Sequence, residues 1–309
     1  MILTVTLNAA LDLTYRVPRL RPHTTHRVTE AVERPGGKGL NVARVLARLG
    51  HATTVTGFAG GPTGDILRRL LADTAPALTD ALVPVTGPTR RTVAVVDAAT
   101  GDTTQLNEPG PQITPAEWSA FTARYARLLD GVGAVALCGS LPPGVPVGAY
   151  AHLIRQARTR RIPVLLDTDG EPLRRGIAAR PDAVTPNAVE LAALTGSTEP
   201  LRAALDVRRR GAHAVAATLG PDGMLAVTPD GTWRAVPPSR VKGNPTGAGD
   251  SAVAGLLSAW LEDLPWPDRL TRAVALSAAT VRAATAGEYD EGAYEAALPL
   301  VKTVPLGGS

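Results

Sequence analysis

The chain has 309 residues, 44% of them hydrophobic, and 32 Lys and Arg against 28 Asp and Glu. That is enough apolar material for a full core in one large α/β domain or in two smaller ones. The basic excess is small and scattered, no apolar run reaches the ~20 residues of a membrane span, and Cys138 is the only cysteine, so nucleic acid, membrane, disulfide and thiolate–metal roles are not expected.

Residues 1–6 alternate like a strand and lack the charged start of a signal peptide, so a cytoplasmic location is expected. Segment 2–7 reads as the first strand. The residues after it, Leu7-Asn8-Ala9-Ala10-Leu11-Asp12, put a carboxylate at the carboxyl edge, where open α/β sheets bind their ligands. Asp12 there suits either a polyol or a turn that caps its own backbone. Gly-x-Gly-x-x-Gly is absent, which argues against a dinucleotide oxidoreductase. Segment 13–32 alternates in the manner of antiparallel strands.

Gly36-Gly37-Lys38-Gly39-Leu40-Asn41 then opens a helix over 38–49. Its glycines permit close backbone approach, Lys38 can neutralise a phosphate, and Asn41, one turn on, can bond sugar hydroxyls. Lys38 stands out because the only other lysines are Lys242 and Lys302. It is followed by Gly39 rather than Ser or Thr, so this is not a Walker A loop, and a plain loop-to-helix junction fits the pattern as well.

Downstream, strands at 53–56, 134–138, 164–167, 183–185 and 214–218 alternate with helices at 64–71, 148–160, 189–194 and 248–261, predicting a doubly wound parallel sheet covered on both faces. Segment 89–105 breaks that rhythm and alternates through the turn Thr100-Gly101-Asp102. With 13–32 it predicts a small sheet projecting from one principal domain that spans 1–309. Three short motifs follow strands at the ligand-binding edge: Gly139-Ser140-Leu141-Pro142-Pro143-Gly144, Asn187-Ala188-Val189-Glu190 and Leu219-Gly220-Pro221-Asp222-Gly223. Asn187 and Glu190 suit either helix capping or a water shell around Mg²⁺. The last motif reads as a hairpin turn unless a nucleotide phosphate packs on it.

The strongest local signal is Asn244-Pro245-Thr246-Gly247-Ala248-Gly249-Asp250-Ser251 ahead of an apolar helix. Free N–H groups at a helix start favour a phosphate or a developing negative charge. An ordinary glycine turn with Asp250 as N-cap fits equally. Phosphoryl transfer depends on positioning plus one carboxylate to take the proton, and Asp250 has the chemistry and the place for that.

Together and in order, these residues resemble the ribokinase-type (PfkB) carbohydrate kinase family, and within it the 1-phosphofructokinase and tagatose-6-phosphate kinase branch. Thr89-Arg90, Pro109-Gly110-Pro111, Leu166-Asp167-Thr168 and Pro186-Asn187 complete the match, which covers nearly the whole chain. The resemblance implies a ribokinase-like three-layer α/β/α sandwich with a mostly parallel sheet and a β lid from roughly 13–33 and 88–106. It implies Asp250 as base, with an anion hole at Gly247, Ala248 and Gly249. Asp12, Gly37, Asn41 and Ser140 would meet the sugar, and Lys38 and Arg90 its existing phosphate. Asn187, Thr218, Gly220 and Gly223 would serve ATP, Glu190 would reach Mg²⁺ through water, and the lid would join a homodimer.

The implied reaction converts ATP and fructose 1-phosphate to fructose 1,6-bisphosphate. Tagatose 6-phosphate, fructose 6-phosphate or a free hexose are alternative acceptors, and a silent sugar-binding regulator is the alternative class. Three departures bear on this. Thr185 stands where the branch usually has Lys, removing a cation from the ATP side. Glu108 stands where Gly is common and would repel a sugar phosphate. Pro245-Thr246 replaces the commoner Thr-Val.

Overall fold

The computed structural model describes residues 1–283 and 285–307. Short apolar runs rich in Val, Leu and Ala form the middle of a large sheet because both of its faces are covered. Leu78–Asp80, Thr53–Gly60, Ile2–Thr6, Ala134–Cys138, Val164–Asp167, Ala183–Val184 and Ala214–Thr218 lie side by side in that order, all parallel. Val83–Val85 also pairs with Thr53–Gly60. Alternate residues feed two cores on opposite faces: Leu3, Val5, Val135 and Leu137 pack with Phe121, Tyr125 and Tyr150, whereas Ile2, Ala134 and Ala136 pack with Val42, Leu256 and Leu270.

All five expected helices form, as Lys38–Arg48, Gly61–Thr74, Ala149–Thr159, Ala188–Thr195 and Ala248–Leu261. The sequence reading missed Pro115–Leu128, Gly170–Ala178, Pro200–Arg209, Trp266–Val281 and Glu291–Ala297. The first carries its own start signal: the Thr114 hydroxyl accepts from the Glu117 N–H, and Glu117 accepts from the Thr114 N–H. Also unforeseen is an antiparallel edge made of Met224–Thr228, Gly231–Val236 and Lys302–Pro305. The motif from Leu219 to Gly223 is the hairpin connection into that edge, closed by the Leu219 N–H donating to Gly223 O at 2.8 Å. The architecture is a three-layer α/β/α sandwich, and no described helix is long and apolar enough to cross a membrane.

A second sheet has the order Glu30–Gly36, Ala10–Val17, Arg90–Asp97, Thr103–Asn107. Its two outer pairings are antiparallel, but the central one, between Ala10–Val17 and Arg90–Asp97, is parallel. Alternation alone cannot distinguish these, because side chains alternate in both. Asp12 therefore does not sit in a turn after the first strand. It lies within Ala10–Val17, with Arg34 opposite on one neighbour and Thr92 on the other.

The helix Ala248–Leu261 is apolar nearly all round and packs along Trp266–Val281. Gly255 makes that approach possible, since a Cβ there would lie 2.7 Å from Ala273 Cα. Gly255→Ala is expected to cost about 1–3 kcal/mol through overpacking, and thermal unfolding should show the lower Tm.

Candidate active site

The carboxyl ends of the parallel strands and the small sheet enclose a cleft of about 480 Å³. Every residue to which the resemblance gives a site role lines it except Ala248, Gly220 and Gly223. Gly220 and Gly223 belong to the hairpin connection, where a Cβ on Gly223 would strike Ala235 O at 2.0 Å, so close strand approach already accounts for that glycine.

At the floor of the cleft, Gly247 is the N-cap of Ala248–Leu261 with a left-handed φ of 82°. Asp250 is thus the third residue of the helix and not its cap. The Asn244 side chain accepts from the Thr246 N–H at 3.0 Å and shapes the approach. The Ala248 N–H donates to Pro245 O at 3.1 Å, so in this conformation it is not part of an open anion hole. The Gly249 and Asp250 N–H groups have no acceptor among the described residues and begin the helix dipole.

Asp250 is 7% exposed. Asn41 Nδ2 donates to its Oδ2 at 2.8 Å, which orients the carboxylate and leaves Oδ1 for another partner. Burial pushes its pKa up to about 7, with Asp167 adding to the rise and Asn41 and Lys38 opposing it. A carboxyl poised near neutrality suits proton abstraction. Lys38 Nζ lies 3.2 Å from Asp167 Oδ2. Burial works against its charge, but Asp167, Asp250 and Glu190 outweigh that and hold the ammonium above its ordinary value. Lys38 therefore sits among carboxylates at the centre of the cleft.

At one end stand Asp12, Arg90 and Ser140. Arg90 is anchored by Nε donating to Asn8 O at 3.2 Å and Nη1 to Glu108 O at 3.1 Å, which leaves Nη2 for an anion. Asn8 Nδ2 donates to Ser140 Oγ and to Pro109 O. Burial raises the Asp12 pKa to about 6 against the pull of Thr92, Arg90 and Arg44. The expectation that Glu108 repels a sugar phosphate fails on geometry. Its two oxygens accept from the Arg91 Nε, Nη2 and backbone N–H at 3.1, 2.9 and 2.7 Å, and it does not line the cleft.

At the other end, Asn187 and Glu190 cap Ala188–Thr195 reciprocally at 2.9 and 2.8 Å. The Glu190 pKa is still raised by burial, with Asp167 and Asp169 contributing. Thr185, in the place of the missing Lys, donates its hydroxyl to Asp167 Oδ1 at 3.3 Å. Sequence reasoning did not single out Thr6, Asn8, Thr92, Gln105, Asn107 or Asp169, which also line the cleft. Their one usable signal was position, at strand ends or on the alternating segments.

A second hollow, of about 710 Å³, lies at the amino end of the strands beside Arg158, Arg180, Arg208 and Arg209. Arg158 and Arg208 donate to Ala179 O and His213 O, and Arg209 pairs with Asp206. Arg158 thereby satisfies a helix C-terminus, and the carboxylate that lines the hollow, Asp182, accepts from the Val164 N–H at 2.8 Å.

The family model for pfkB family carbohydrate kinases matches residues 3–291. A 1-phosphofructokinase of Rhodobacter capsulatus is 40% identical over 264 residues, covering 84% of this chain and 83% of that protein. Among solved structures, a possible 1-phosphofructokinase from Thermotoga maritima superimposes with a TM-score of 0.91 at 27% identity, over 99% of this chain and all of that one. Phosphofructokinase-2 from Escherichia coli in complex with fructose-6-phosphate gives 0.87 at 30% identity, over 96% and 98% of the two chains. The chain belongs to the pfkB family of carbohydrate kinases.

Proposed function

We propose that this protein is an ATP-dependent 1-phosphofructokinase that transfers the γ-phosphoryl of ATP to the free primary hydroxyl of fructose 1-phosphate, giving fructose 1,6-bisphosphate and ADP. The observation that carries this reading is the buried Asp250 carboxylate, oriented by Asn41 beside the free Gly249 and Asp250 N–H groups. Asp250 Oδ1 takes the hydroxyl proton as the sugar oxygen bonds to the γ-phosphorus and the bond to the β-phosphate oxygen breaks. The N–H groups at Gly247 and Gly249, with Lys38, stabilise the charge on the moving phosphoryl. Asp12, Asn41, Gly37 and Ser140 hold the sugar, and Arg90 receives its phosphate. Asn187 and Thr218 lie on the ATP side.

The cleft chemistry fits Mg²⁺: Asp167, Asp169 and Glu190 line one end, and carboxylate oxygens are the donors that hold a hydrated ion through its water. Bound there, the ion supplies neutralisation of the ATP phosphates. The reading includes a cytoplasmic setting and a homodimer through the small sheet, whose strand Thr103–Asn107 is exposed throughout, with Leu106 60% exposed. Fructose 6-phosphate is the second reading, favoured by the sugar in the Escherichia coli neighbour. The pairing of Glu108 with Arg91 removes the motive for an unphosphorylated hexose.

Purified protein should turn over fructose 1-phosphate with kcat/KM at least about tenfold above fructose 6-phosphate, tagatose 6-phosphate and free fructose. Equal values for free and phosphorylated fructose would overturn phosphate recognition. Asp250→Asn should lose about 10²-fold or more in kcat while ATP still binds; an undiminished kcat excludes Asp250 as the base. Since the base must be ionised and its pKa is raised to about 7, kcat/KM should climb as pH rises from ~6 to ~8. A profile flat across that range contradicts the assignment. Leu106→Asp should convert a dimer to monomer in sedimentation, and an unchanged mass would remove the small sheet as the contact.

A further inference from the structure

The sequence singled out Arg44 and Glu288 for nothing, yet they connect the two halves of the cleft. Arg44 lies on Lys38–Arg48, one turn beyond Asn41, and only 4% of its side chain is exposed. Its Nη1 donates to Ala286 O at 3.1 Å and its Nη2 to Glu288 Oε1 at 3.0 Å. A guanidinium so buried needs an acceptor of opposite charge, and Glu288 supplies it. The same Oε1 accepts from Arg34 Nη1 at 3.1 Å, and Arg34 lies on the small sheet directly opposite Asp12.

Residues 286–287, held this way, form a shelf behind the catalytic turn. A Cβ on Gly247 would lie 2.8 Å from Ala286 Cα, and one on Gly287 would lie 3.1 Å from Asn41 Oδ1. The shelf thus backs both the glycine that shapes the anion site and the amide that orients Asp250. One turn further along the helix, Arg48 repeats the grip, pairing with Glu291 at 2.8 Å and stacking over Tyr289 at 4.8 Å. The helix that carries Lys38 and Asn41 therefore fixes the 286–291 segment at two levels. Only the first level continues into the small sheet.

We propose that Glu288 is a positioning residue that couples the sugar-holding small sheet to the phosphoryl-transfer turn, through Arg34 on one side and Arg44 on the other. The coupling rests on the roles of Asp12 and Asp250 given above. Seating of a sugar phosphate against the small sheet is transmitted through Arg34 and Glu288 to the shelf behind Gly247 and Asn41. The part-exposed Arg34 arm tunes sugar binding, and the buried Arg44 arm sets the geometry of transfer.

Steady-state kinetics on folded Arg34→Gln, Glu288→Gln and the double variant tests this. Arg34→Gln should raise the sugar-phosphate KM about threefold, as befits a part-exposed ion pair, with kcat and the ATP KM within about twofold of wild type. Glu288→Gln should lower kcat about tenfold or more, since small displacements at the reacting centre are costly, and in its background Arg34→Gln should add nothing to the sugar KM. Should Glu288→Gln fail to fold, Glu288→Asp takes its place and should show a smaller loss of kcat in the same direction. Variants that match wild type in kcat and KM, or an Arg34→Gln effect of equal size in both backgrounds, would overturn the coupling. A wild-type protein that phosphorylates no sugar phosphate would instead refute the functional reading, so the two failures are separable.

Discussion

Asp250 lies 7% exposed in the first turn of Ala248–Leu261, with Asn41 donating to one of its oxygens at 2.8 Å. Holding a carboxylate out of water at that point constrains everything around it. Its folded pKa, about 7, lies above the ordinary 3.8, so folding takes up a proton between those values. The group is harmless to stability below about pH 4, and its cost grows as pH rises through about 7. The fold bears that cost with two apolar cores packed against the two faces of the central parallel strands. What the cost secures is a carboxylate that is already desolvated and oriented, as a proton acceptor must be, with the helix N–H groups beside it.

Charge in the cleft is arranged around the same group. Lys38 lies between Asp167 and Asp250, where the missing Lys at position 185 would have brought a second cation. Thr185 spends its hydroxyl on Asp167 instead. The acidic end therefore carries Asp167, Asp169 and Glu190 with Lys38 as the nearby cation, an excess of carboxylate that suits a divalent ion. The opposite end carries Arg90, locked by two backbone carbonyls so that one edge of the guanidinium faces the cleft. That polarity suits an anionic phosphate at the Arg90 end and a cation-bound phosphate chain at the acidic end.

The parallel strands were legible because fully covered strands must be apolar along their length, and the pattern needs no knowledge of neighbours. Ala134–Cys138, Val164–Asp167, Ala214–Thr218 and the helix Ala248–Leu261 were read to the residue. Trp266–Val281 and Pro200–Arg209 were missed, although both open with a proline in the first turn, a start signal that helix rules provide. The last strand of the antiparallel edge was missed for a different reason: Lys302–Pro305 joins Gly231–Val236 across some seventy residues, and pairing at that distance leaves no local periodicity.

For the site, the sequence by itself determined which chemical groups were available: glycines where backbone must come close, one lysine among them, and a carboxylate at a helix start, in an order that identifies the family. Tertiary structure alone decided how those groups are engaged. It placed Asp12 inside a strand, occupied the Ala248 N–H with Pro245, tied Glu108 to Arg91, and joined Arg34, Glu288 and Arg44 from three separate segments. The physical reason is that residue type sets what a side chain can donate or accept, whereas its partner, burial and hence pKa depend on contacts between residues as far as 254 positions apart.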